Sequence, residues 1–153
     1  MMPRGELRKL TIALIEEAFT TREARVDDDP FSGRSWQEIS DDELDDFLEV
    51  YGFSVFGNDD FRFYLSAFMR RSLQSYESQG GGFDLTTMLS KLSCGPGFFH
   101  RGGTSIFTPR EEEAIAAFLF FIASHGNDFD KEGAEAALKI GWWKHLPDYA
   151  FLD

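Results

Sequence analysis

The chain has 153 residues and a formal net charge of −12, with 42% apolar and 27% charged residues. That length supports one domain with a core of its own and leaves little room for a second. The excess of carboxylates repels nucleic acid and anionic membranes, and a single cysteine, Cys94, excludes an intramolecular disulfide.

The charge is unevenly spread: residues 1–22 carry +1, 23–60 carry −11, 61–110 carry +4 and 111–153 carry −6. One quarter of the chain therefore holds nearly the whole excess and is suited to attracting a cationic surface. No window approaches the roughly 18–20 apolar residues of a membrane span. Near the N-terminus the apolar stretch 10–15 is cut short by Glu16 and Glu17, which does not suit a signal segment. These features, with the lone cysteine, predict a cytoplasmic protein in a reducing compartment.

In chain order, "GELRKLTIALIEEAF" (5–19) comes first, with Leu7, Leu10, Leu14 and Ala18 as one apolar helical stripe. The polar run 20–35, broken by Pro30 and Gly33, reads as a loop and carries Asp27, Asp28 and Asp29. Ser40-Asp41-Asp42-Glu43 fits a capping box opening a helix whose inward face is Leu44, Phe47, Leu48 and Tyr51, with Gly52 as its stop. Its outward face holds Asp41, Asp45 and Glu49 in one row, and Asp42 and Asp46 in the next.

A third helix, 59–76, starts near a cap at Asn58 or Asp59. Phe61, Tyr64, Leu65, Phe68, Met69, Leu73 and Tyr76 cover most of its circumference, which predicts a central position. Residues 78–107 gather half of the fourteen glycines and read as a long, partly mobile insertion. A short amphipathic piece interrupts it, with Leu85, Met88, Leu89 and Leu92 in register and Asp84 as a cap.

Thr108-Pro109-Arg110-Glu111 is a second capping box, and the helix it opens presents Ile115, Phe118, Leu119 and Ile122 on one face. A last helix spans about 130–140, with Ala134, Ala137 and Leu138 inward, and Trp142 and Trp143 packing at its exit. The expected architecture is all-α: a single compact domain, 1–153, of five or six helices with a long glycine-rich loop.

Motifs for chemistry are sparse. Asp128, Asp130, Glu132 and Gly133 imitate the start of a calcium loop, but Lys139 stands where that loop needs a bidentate glutamate. Cys94, His100, His125 and His145 lack zinc-ligand spacing, and there is no nucleophile elbow, phosphate loop or dinucleotide fingerprint. No cofactor, metal or catalytic residue is therefore assigned. In the glycine-rich stretch 80–103, Cys94, His100 and Arg101 supply the alternative, an enzyme with a dispersed site in that loop.

Several stretches resemble a bacterial family known as a domain of unknown function. They are "LIEEAF" (14–19), Trp36 before the acidic helix, "FRFYLSAFM" (61–69), "FTPREEEAIAAFL" (107–119) and the closing "AALKIGWW". The resemblance implies a helical domain and carries no catalytic residues. The functional expectation is a non-enzymatic protein-binding module, in its most specific form an acidic immunity or inhibitor protein that neutralises a basic partner such as a toxin. The residues expected to meet that partner are Asp27, Asp28, Asp29, Asp41, Asp42, Asp45, Asp46 and Glu49, with Trp36 as an aromatic anchor. A domain of housekeeping role, with charge serving solubility, is the other alternative. The oligomeric state is left open.

Overall fold

A computed structural model describes residues 3–19, 36–51, 58–76 and 82–151. Among these residues are six α-helices: α1 Arg4–Ala18, α2 Asp41–Tyr51, α3 Asn58–Ser75, α4 Gly82–Leu92, α5 Pro109–His125 and α6 Asp128–Lys139. Short 3-10 turns at Trp36–Glu38, Pro96–Phe99, Trp142–His145 and Asp148–Phe151 join or follow them. The remaining element is a hairpin of two-residue strands, β1 His100–Arg101 and β2 Thr104–Ser105. No described helix is long and apolar enough to cross a membrane.

Both expected capping boxes form. In α2 the Glu43 amide donates to Ser40 Oγ at 3.2 Å, while the Ser40 amide donates to Glu43 Oε1 at 3.1 Å. In α5 the matching distances are 3.1 Å to Thr108 Oγ1 and 2.8 Å to Glu111 Oε1, with Pro109 in the first turn. Each box satisfies two amides that a helix start otherwise leaves to water.

Helix α3 is buried all round from Tyr64 to Met69, as its sequence predicts. It shares the centre with α5, whose residues 114–119, with Phe121 and Ile122, are fully buried. Helix α5 packs between α1 and α6, α4 lies on α6, and α2 lies on α3. Phe47 of α2 stacks on Tyr64 of α3, with ring centroids 4.8 Å apart. The side chains of Leu48 and Tyr51, and all of Gly52, lie outside the described residues.

The structure corrects the expected face of α1. Leu10 is 39% exposed, and the buried stripe is Leu7, Thr11, Leu14, Ile15 and Ala18. Thr11 can take an interior place because its hydroxyl donates to the Leu7 carbonyl at 2.7 Å, leaving its methyl to pack.

The expected long glycine-rich loop also changes. Residues 77–81 lie outside the described set, and 82–107 are folded into α4, a 3-10 turn and the hairpin. Gly102 (φ +63°) and Gly103 (φ +84°) form the two-residue turn, a backbone path that side-chain-bearing residues rarely take. Phe99 and Phe107 flank the hairpin and pack on one another and on Trp142, with centroids 5.4–6.4 Å apart. Helix α4 buries Leu85, Met88, Leu89 and Leu92 as expected, but it begins at Gly82, so Asp84 lies inside its first turn rather than capping it.

The two C-terminal tryptophans part company. Trp142 is fully buried and donates its indole N–H to the Leu92 carbonyl at 2.8 Å, whereas Trp143 is 54% exposed.

Candidate functional site

Helix α2 is held by its inner face. Leu44 and Phe47 are buried against the core, and the capping box fixes its first turn. The opposite face therefore stands in water, with Asp41, Asp42, Asp45 and Asp46 exposed. Asp41 and Asp42 sit in the first turn, where the helix dipole favours negative charge and offsets part of their mutual repulsion.

Arg71 reaches this row from α3. Arg71 Nε donates to Asp45 Oδ1 at 3.2 Å and a terminal nitrogen donates to Oδ2 at 3.0 Å, a two-pronged pair. The hydrogen bond that Arg71 donates to Asp45, joined by the fields of Asp45, Asp41 and Asp42, holds its guanidinium above its ordinary pKa. The row thus produces a shared negative field on its own fold.

Such carboxylates suit long-range attraction better than proton transfer, which calls for burial and close partners from another element. Of the other expected contact residues, Asp27, Asp28 and Asp29 lie outside the described residues. Glu49 lies on α2, and its side chain is also outside them.

Trp36 is not an exposed anchor. It is 1% exposed, its indole N–H donates to the Phe19 carbonyl at 2.8 Å, and the Arg70 guanidinium lies 4.8 Å from the ring centre. It ties the 3-10 turn before α2 to the end of α1 and to α3. An aromatic side chain next to an acidic run can serve either role, and only the tertiary fold separates them.

The residues weighed for other chemistry are dispersed. Cys94 is exposed just beyond α4, with its sulfur 4.0 Å from the Ser90 carbonyl oxygen, and His100 is exposed on β1. Among the described residues no hydrogen bond joins Cys94 to His100, and no group of three or more His, Cys, Asp or Glu residues is placed to hold a metal ion. The side chain of Arg101 is outside the described set.

The calcium-like run 128–133 forms the first turns of α6, with Asn127 as its side-chain cap. A helix points Asp128 outward and Asp130 inward, so the carboxylates do not encircle a point. Asp130 instead accepts from Tyr76 Oη at 2.7 Å, and that hydroxyl accepts the Asn127 amide at 2.9 Å. Arg4 and Arg8 of α1 both donate to the Tyr76 carbonyl, at 2.6 and 2.8 Å. Burial, with the Asp130 hydrogen bond adding to it against the opposing Asn127 amide, pushes the Tyr76 hydroxyl up to about 12. This network ties α1, the end of α3 and the α5–α6 junction together.

Sequence reasoning missed one polar gathering. Glu112, 8% exposed, lies 3.8 Å from His145 Nε2 and accepts from Ser105 Oγ at 3.4 Å. Beside it, Arg110, Glu113, Lys144 and His145 line an open cleft of about 460 Å³. Ser105 shares the carboxylate with His145 rather than bonding to the imidazole, so the set is not arranged as a nucleophile–base pair. Its members come from β2, α5 and the turn after α6, and no spacing in the sequence links them.

No curated protein matches the chain, and no solved structure does either. A family model does match, across residues 13–146. The span takes in all six helices except the first turns of α1, so the chain belongs to the DUF6714 family, a family of unknown function.

Proposed function

We propose that this protein is a non-enzymatic binding module that docks a basic protein through the outward face of α2. The observation that carries the proposal is the exposure of Asp41, Asp42, Asp45 and Asp46 on a helix whose other face is fixed in the core. A rigid row of like charge costs little to organise on binding, because the side chains already stand where a cationic partner meets them. In sequence the helix lies within the segment 23–60, which carries −11 of the chain's −12. In its most specific form the module is an inhibitor that neutralises a basic bacterial toxin, masking the cationic surface with which such a toxin engages its own target.

With Trp36 in the core, the proposed contact rests on charge. It should therefore associate quickly, respond strongly to salt and tolerate aromatic substitutions elsewhere on the surface. The test is a side-by-side affinity capture from the native host, using the wild-type chain and the triple variant Asp42→Lys, Asp45→Lys, Asp46→Lys. Captured proteins are identified by mass spectrometry and their binding is then measured by calorimetry with purified components. A basic protein bound by wild type and lost by the variant is the expected result. An identical set of partners for both chains contradicts the proposal.

A further inference from the structure

Helices α4 and α6 lie side by side and run the same way. A Cβ on Gly133 would stand 3.4 Å from the Leu89 side chain, and one on Gly95, just past α4, 3.4 Å from that of Ile140. Between the two helices is a trough of about 310 Å³. Leu89, 4% exposed, and Gly133 close its floor; Phe129 and Ala136 form its α6 wall, and Thr86 and Ser90 its α4 wall. Phe129 is 69% exposed at one end, and Ile140, 58% exposed, carries the apolar line past the other. From Phe129 to Ile140 the helix rises about 16 Å.

Shape and charge together select an occupant. Both walls are helices whose backbone groups are bonded along their own chain, so an extended peptide finds no edge to pair with. A helix arrives with its backbone satisfied and needs only an apolar stripe, and about 16 Å matches three turns of one. The charge is one-sided. Asp128, Glu132 and Glu135 are exposed along the outer side of α6, Lys131 falls on the far side of that helix, and the α4 wall is neutral. Lys139, exposed beside Ile140, ends the acidic flank.

A partner helix therefore meets carboxylates at the Phe129 end and a cation at the Ile140 end. Basic residues in its last turns and an acid in its first answer both, and the same order complements its own dipole. That order sets the partner antiparallel to α6. We infer that the trough between α4 and α6 docks a basic amphipathic helix of another protein, apolar face down, with its cations beside Asp128 and Glu132. The inference does not depend on the α2 reading, because α2 lies on α3 and the trough is built by α4 and α6.

The probe is a displayed library of amphipathic helical peptides of about 15 residues, with a fixed apolar stripe and each charged position free to be Lys or Glu. Selected on the full chain, it should yield peptides with Glu in the first turn and Lys in the last turns. A selected peptide is then synthesised, labelled and titrated by fluorescence anisotropy. Phe129→Lys should weaken its binding at least about tenfold, by removing the apolar wall and setting a cation against the basic flank. The circular dichroism of that variant should not change, because the residue is exposed. Glu132→Lys should also weaken binding, and exchanging the peptide's last-turn lysines for glutamate should restore it. The Asp42→Lys, Asp45→Lys, Asp46→Lys variant should bind the peptide as wild type does, which separates this surface from α2. No enrichment, selected peptides of the opposite charge order, or a peptide indifferent to Phe129→Lys would each overturn the inference; so would one lost only in the α2 variant.

Discussion

Tyr76→Phe isolates one hydroxyl at the junction of four helices. The ring remains, with its edge against Phe121 at a centroid distance of 6.4 Å. What goes is the 2.7 Å bond to Asp130 and the 2.9 Å bond from the Asn127 amide. A hydrogen bond to a charged group contributes about 1.5–3 kcal/mol and a neutral one about 1 kcal/mol, so the loss should be about 2–4 kcal/mol. For a chain of this size that lowers the melting temperature by roughly 5–15 °C. Urea unfolding gives the free energy directly, and an unchanged denaturant slope confirms that both states kept their compactness. Asp130→Asn should cost less, because it keeps an acceptor for the hydroxyl. A Tyr76→Phe loss below about 0.5 kcal/mol would refute the reasoning, since it would mean that desolvating the hydroxyl cancels both of its bonds.

The same residue sets an alkaline limit. Its pKa is about 12 in the folded chain and about 10 when unfolded, so its contribution is complete below pH 10 and is lost as pH rises towards 12. The expected loss is about 2–3 kcal/mol, read from urea midpoints at stepped pH, and Tyr76→Phe should flatten that step. Trp36→Ala should cost about 3–5 kcal/mol in the same assay, as a fully packed side chain does. A cost under about 0.5 kcal/mol would return Trp36 to the surface. A double-mutant cycle on Arg71 and Asp45 should give a coupling of only about 0.2–1 kcal/mol, shrinking with salt, because both side chains remain partly exposed at 27% and 47%.

Much of the helical framework is legible because its signals are local. Ser40 with Glu43 and Thr108 with Glu111 bond within one turn, so spacing alone predicts both helix starts. Leu85, Met88, Leu89 and Leu92 follow the helical period and go inside as expected. Where two neighbouring residues compete for one interior place, local pattern fails. Leu10 yields to Thr11, whose hydroxyl is satisfied by its own helix, and Trp143 yields to Trp142, whose indole finds the Leu92 carbonyl.

Glycine misled for a different reason. Its freedom suits a disordered linker and a tight turn equally, and the aromatic packing that turns residues 96–107 into a hairpin comes from Trp142, far along the chain. Of the proposed contact face, the outward row of α2 could be read from periodicity, since charge opposite an apolar stripe faces water. The pairing of Asp45 with Arg71 and the interior place of Trp36 could not, because each depends on how α2 and α3 meet.

The central claim is that α2 draws a basic protein to its carboxylates. Stopped-flow association of the captured partner with wild type, and with the Asp42→Lys, Asp45→Lys, Asp46→Lys variant, tests it most directly. The account predicts an association rate that falls steeply with salt for wild type and, at low salt, drops at least about tenfold in the variant, with folding intact. Equal rates for the two chains, with the same salt dependence, would contradict it.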